Sequence, residues 1–141
     1  MSKVIQNPCI NRVESEKKFI TYLKKYNATG ITLAHRLRDT HQSLFAKLCA
    51  QLDKQFQDES KLQGDAHQID LELGVKLSTN SFILAKFLSC APSTIRLRIN
   101  RLKEAGIILR VVNHGKLRPI DIIFDPRYLE IDPVSVFFSK Y

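Results

Sequence analysis

Between Ser93 and Lys103, seven polar or basic side chains alternate with four large apolar ones, one of them Leu97. Ser93, Thr94, Arg96, Arg98, Asn100, Arg101 and Lys103 surround Ile95, Ile99 and Leu102. These last three return every three or four positions, the period of one helical face. With Ile95 at the centre of that face, Ile99, Leu102 and Gly106 fall beside it. Ser93, Leu97, Asn100, Arg101 and Glu104 fall opposite, with Thr94, Arg96, Arg98 and Lys103 on the flanks. These side chains suit recognition of an anionic polymer that carries bases. Arg96 or Arg101 can pair with guanine and Asn100 with adenine, and an outward Leu97 suits a thymine methyl. A good bidentate pair gives about 1–3 kcal/mol of discrimination. Ser93 and Thr94, at the N-terminal end, reach a phosphate or a base edge.

Sets that could perform catalysis are poorer. Asp121 and Asp125 lie on one face of a strand, but among apolar neighbours and with no histidine placed to join them. Asp70 and Glu72 alternate on an exposed strand face. There is no Gly-rich phosphate loop, and no Cys–His spacing points to a nucleophile. Tyr141 is a poor nucleophile. Cys9, Cys49 and Cys90 are too scattered for a disulfide framework and read as reduced, buried thiols. His35, His41, His67 and His114 supply no metal-site interval. No enzyme activity, cofactor or metal is expected.

The chain has 141 residues, about one domain, and a net charge of +8. That balance favours anionic partners, nucleic acid before an acidic membrane surface. The charge is concentrated. Residues 92–118 hold seven basic residues against Glu104, net +6, while residues 1–60 are net +4, 61–91 net zero and 119–141 net −2. A stretch of about 20 apolar residues, which a membrane helix needs, is absent, as is a signal-peptide core. A cytoplasmic protein is expected.

Several elements must position the basic stretch. Residues 13–26 predict a helix with Phe19, Ile20, Leu23 and Tyr26 in one stripe. Residues 32–57 predict a long helix capped by Thr32, its stripe running through Leu33, Leu37, Phe45, Leu48, Leu52 and Phe56. Residues 58–68 predict a polar linker. "IDLELGVKLS" predicts one strand burying Ile69, Leu71, Leu73, Val75 and Leu77. Ser78 or Thr79 caps a helix over 80–88, and Pro92 opens the basic helix, which Gly106 ends near Ala105. A hairpin follows, tight at "NHGK", burying Ile107, Leu109 and Val111 on one strand and Ile120, Ile122 and Phe124 on the other. Pro119 makes the second strand an edge. A helical turn at Tyr128–Leu129 and the apolar run Val134–Phe138 complete the chain.

Strand, helix, short break, helix and hairpin come in the order of a winged helix-turn-helix. "LAKFLSCAPSTIRLRINRLKEAGII" resembles bacterial winged-helix regulators and plasmid or phage replication initiators. Leu84, Ala85, Leu88, Ser93, Thr94, Leu102, Gly106, Ile107 and Ile108 carry the pattern, over residues 69–125. Ser89 stands where the family commonly has glycine between its helices, and Ala91 where its cap commonly has a hydroxyl. The resemblance implies an α+β, mostly α fold, with residues 61–130 a winged helix-turn-helix binding double-stranded DNA. The recognition helix 92–105 would enter the major groove, and His114, Lys116 and Arg118 in the wing 107–124 would touch backbone or minor groove.

Residues 1–60 are expected as a helical extension and 131–141 as an apolar tail. A homodimer through the 32–57 helix, the "VSVFF" run or both would cover their excess apolar surface. The expected role is sequence-specific transcriptional regulation, or else replication or maintenance of a plasmid, phage or mobile element. A protein-interaction module without DNA is the reading of another class. The residues name no small-molecule effector.

Overall fold

Asn11 starts the first helix: its side-chain oxygen accepts the Glu14 N–H at 3.1 Å, satisfying a donor that has no partner inside the helix. The computed structural model describes residues 4–64, 67–115 and 118–133. Helix α1 spans Arg12–Asn27. It buries Phe19, and also Ser15, whose hydroxyl accepts the Glu130 N–H at 2.9 Å.

The long helix expected from Thr32 is split. A 3-10 turn at Leu33–His35 gives way to extended backbone at Arg36 and Arg38, and α2 runs Asp39–Gln63. The cause is Asn27. Its amide donates to the Leu37 carbonyl at 2.8 Å and accepts the Leu37 N–H at 2.9 Å. That pair competes with a helical ladder at Leu37 and draws the leucine into the core. His41 Nδ1 then accepts the Arg38 N–H at 2.9 Å, so the helix begins one residue later. At its other end α2 absorbs most of the expected linker. Leu44, Phe45, Leu48, Cys49, Leu52 and Phe56 are all buried within the chain, while Leu33 is 67% exposed. The α2 stripe therefore does not leave the apolar surface from which a dimer through this helix was inferred. Val134–Phe138 lie outside the described residues.

Two short strands near the start have no counterpart in the sequence reading. β1 (Val4–Gln6) pairs antiparallel with β3 (Gln68–Asp70), and β2 (Pro8–Ile10) with β7 (Ile131–Pro133). Asn7, at φ +48, forms the corner between β1 and β2. The single strand expected over residues 69–77 is likewise broken. After β3, Asp70 accepts the Glu72 N–H and holds a 3-10 turn at Leu71–Leu73, and β4 is only Val75–Thr79. Gly74, at φ +84, turns this corner where a Cβ would sit 2.6 Å from Ile123 Cγ2. Leu73, expected inside, is 75% exposed, whereas Val75 and Leu77 are buried.

Helix α3 (Ser81–Phe87) is capped by Asn80, which accepts the Phe82 N–H at 2.8 Å. Ser78 and Thr79, the expected caps, belong to β4 and bond Asp121 and Gln51. After Leu88 the chain reverses through Ser89 at φ +53, with the Cys90 N–H closing onto the Ala85 carbonyl at 3.0 Å. This is a glycine-type helix end built with serine. Ser89→Gly is accordingly expected to raise stability by about 1 kcal/mol, because a left-handed serine carries a steric penalty that glycine lacks. A urea midpoint at or below that of the parent protein would contradict this.

Helix α4 (Pro92–Glu104) starts with Pro92 in its first turn and no side-chain bond from Ala91. It ends where Gly106, at φ +87, lets the Ile107 N–H reach the Leu102 carbonyl at 3.1 Å.

Strands β5 (Ile108–Asn113) and β6 (Ile120–Phe124) complete an antiparallel sheet of order β4-β6-β5. β6 is thus central, not an edge. Pro119 precedes its first rung and removes no ladder bond. Ile107 is buried as expected, but a register shift between Ile108 and Arg110 turns Leu109 outward, against the expected alternation, and Ile108 goes inside instead. Asn113 pairs with Ile120 as the last rung of the hairpin, so the two strands do not close directly around "NHGK". A 3-10 turn at Pro126–Tyr128 follows.

The class is α+β, with four α-helices and small antiparallel sheets among the described residues. Buried side chains form one cluster from Ile10 to Leu129. Phe45 stacks on Phe19 at 4.5 Å and meets Phe124 edge-on at 6.4 Å, joining α1, α2 and β6. Among the described residues, no helix is long and apolar enough to cross a membrane.

Candidate nucleic-acid interface

Helix α4 packs on α3, α2 and the start of β5 through Ile95, Ile99 and Leu102, all buried. That fixes which residues face away. Ser93, Arg96, Leu97, Asn100, Lys103 and Glu104 are exposed, and Thr94, Arg98 and Arg101 half-buried. Leu97 is 67% exposed on the outward ridge.

On one flank, α4 and the β5–β6 hairpin enclose a groove of about 620 Å³. Arg96, Asn100 and Lys103 line it from α4, Asn113 and Arg118 from the hairpin, and Asn80 and Phe82 from the start of α3. Its floor is apolar: Ile99, Val111 and Ile120. The side chains of Arg96, Lys103 and Arg118 make no ion pair among the described residues. Some cations elsewhere do have partners: Lys17 with Glu14, Lys18 with Glu130, Arg127 with Asp125. Sequence reasoning missed Asn80, Phe82 and Asn113. Phe82 had left a signal, since "SFILAKF" holds more large apolar residues than one face of a short helix can bury. Phe82, Ile83 and Phe87 stay half or more exposed.

The other flank is different. Arg101, outward by helical spacing, turns back to Glu104 at 2.8 Å and to His35 of the 3-10 turn. His35 Nδ1 also faces Glu104 at 3.2 Å. Unprotonated, it accepts from Arg101; protonated, it donates to Glu104. The bond from His35, with Arg101 beside it, holds the Glu104 carboxyl below its ordinary range. Arg98 leans toward Cys90 Sγ at 3.8 Å. Neither arginine joins the groove that holds Arg96.

In the hairpin, His114 Nε2 donates to Asp121 Oδ2 at 2.9 Å, and Ser78 Oγ donates to Asp121 Oδ1 at 2.7 Å. A histidine is therefore placed beside Asp121 after all. The carboxylate sits between serine and histidine, so His114 has no path to the Ser78 proton, and the order is not that of a serine nucleophile with its base. His114 is tied to the sheet rather than free at the hairpin end. Lys116 lies outside the described residues. Asp125 is forked to Arg127 at 2.7–3.2 Å, away from Asp121's partners.

The three cysteines are free, Cys49 fully buried and Cys9 and Cys90 partly so. Burial pushes Cys49 up to about 12 and Cys9 to about 11, so neither is a thiolate at neutral pH. No group of His, Cys, Asp and Glu among the described residues could hold a metal ion.

Acid is expected to lower the protein's stability in two steps. Burial first, then Arg101, Arg98 and Arg38, hold His41 below its ordinary 6.5. Its neutral form is favoured in the fold, so its contribution is complete above that value and declines as pH falls through the lower folded one. The bonds from His114 and Ser78 hold Asp121 below its ordinary 3.8, so its contribution is lost only in stronger acid. Urea midpoints at about pH 7.5, 5.5 and 2.5 should fall at each step. His41→Gln should remove the first drop and leave the second.

No protein-family model, no curated protein and no solved structure matches the chain.

Proposed function

We propose that this chain is a winged helix-turn-helix protein that binds double-stranded DNA sequence-specifically, most simply as a transcriptional regulator. In this reading α3 and α4 are the paired helices, α4 enters the major groove, and the β5–β6 hairpin is the wing. The observation that carries it is the groove between α4 and the hairpin, where Arg96, Lys103 and Arg118 stand without acidic partners among the described residues. Unneutralised cations held close together repel one another, and duplex phosphates relieve that repulsion. Arg96 and Asn100 are the base readers, with Ser93, Thr94 and Leu97 alongside them on the helix. Arg101, held by Glu104 and His35, orients the helix rather than reading guanine. Lys103 and Arg118 neutralise phosphate.

Selection of bound duplexes from a random pool tests this. A consensus that loses its preference at one base pair in Arg96→Ala supports it. Enrichment of no sequence by the parent protein overturns sequence specificity. A two-fold consensus would add a homodimer, with half-sites about one helical turn apart.

One observation favours a second reading, a protein-interaction module: Phe82, Ile83 and Phe87 expose an apolar face on α3. That reading requires no salt-dependent DNA binding at all.

A further inference from the structure

A helix in the major groove is about as wide as the groove itself, roughly 10–12 Å against about 12 Å, so both its flanks face a phosphate strand. On one flank the hairpin supplies Arg118. On the other flank lies the segment between α1 and α2, outside the stretch that carries the winged-helix resemblance. His35 fastens this segment to α4 through Arg101 and Glu104. Of the three residues after the 3-10 turn, the first and third, Arg36 and Arg38, are exposed arginines, and Leu37 between them is buried. Arg36 Nε donates to the Ile31 carbonyl at 3.2 Å, and Arg38 Nη2 to the Leu33 carbonyl at 3.0 Å. These bonds orient the guanidiniums without neutralising them, and most of each fork's five donors stay free. Asp39, the acid next in the chain, pairs with neither. Arg38, Arg98 and Arg101 are close enough together that all three act on His41.

We infer that Arg36 and Arg38 bind backbone phosphates of the DNA strand opposite the one that the hairpin contacts. The 31–38 segment then forms the second wall of a clamp around α4. This rests on the DNA-binding reading above and adds a surface to it. The break in the long helix is what creates the wall, because an unbroken helix would not tie Arg36 and Arg38 to carbonyls behind them.

The test is the salt dependence of binding to a duplex of about 30 base pairs, read by fluorescence anisotropy. Arg36→Gln with Arg38→Gln keeps a donor for each carbonyl and removes both charges. The slope of log affinity on log salt should shrink by roughly two units, with weaker binding to every sequence and an unchanged consensus. Arg36→Lys with Arg38→Lys, which keeps the charges, should retain nearly the parent slope. If the parent binds and the glutamine pair shows the parent slope, the second wall is wrong and the DNA reading stands. If the parent does not bind duplex, both are wrong. If the lysine pair loses as much slope as the glutamine pair, the arginines act through the fold and the inference fails.

Discussion

Phe45→Ala should destabilise the protein by about 3–5 kcal/mol, the range for emptying a fully buried phenylalanine site. That is about a fifth or more of the roughly 5–15 kcal/mol typical of a domain's total stability. Phe45 is fully buried, stacks on Phe19 of α1 and meets Phe124 of β6 edge-on, so its removal opens a void where three elements meet. The consequence reaches beyond α2. If the N-terminal helices share one core with the sheet, α1, α2 and the β4-β6-β5 sheet should unfold together, in one urea transition shifted to lower concentration. A variant that melted only its helices, leaving strand signals at the parent midpoint, would show two separate cores.

The largest effect on binding should come from Arg96→Ala, Lys103→Ala and Arg118→Ala combined. Each removes a cation that has no ion-pair partner among the described residues and, in our reading, meets DNA. A charge-assisted contact contributes about 1–1.5 kcal/mol, so the triple variant should bind two to three orders of magnitude more weakly. Its stability should be unchanged or slightly higher, since all three side chains are exposed and their mutual repulsion disappears. Arg127→Ala is the matched control, an exposed arginine already forked to Asp125, and should leave affinity nearly intact. Equal losses in the two proteins would mean that net charge, not the groove, determines binding.

Where the sequence was legible, local signals and tertiary packing agreed. The α4 stripe of Ile95, Ile99 and Leu102, the proline opening and the glycine end all have the geometry their spacing implies. Where it misled, a single side chain or a chain crossing decided the matter. Asn27 broke the long helix by bonding Leu37, ten residues away. Gly74 turned an alternating run into two strands because Ile123 leaves no room for a Cβ. β1, β2 and β7 are three residues each and exist through pairing with distant partners, which no local pattern encodes. The candidate site divides in the same way. Helical spacing assigned Leu97 and Asn100 to the outward side and Arg96 to a flank, but it did not register that Glu104 and His35 capture Arg101, or that Asp121 captures His114. Those depend on long-range neighbours.

The most direct measurement is the affinity of the parent protein for a duplex of arbitrary sequence at about 50 and 200 mM salt. Phosphate contacts release counterions in proportion to their number, at about 0.9 per contact for B-DNA. Lys103 and Arg118, with Arg36 and Arg38 on the opposite flank, predict a slope of log affinity on log salt of roughly −3 to −4. A slope near zero, or no binding at the lower salt, would contradict the account.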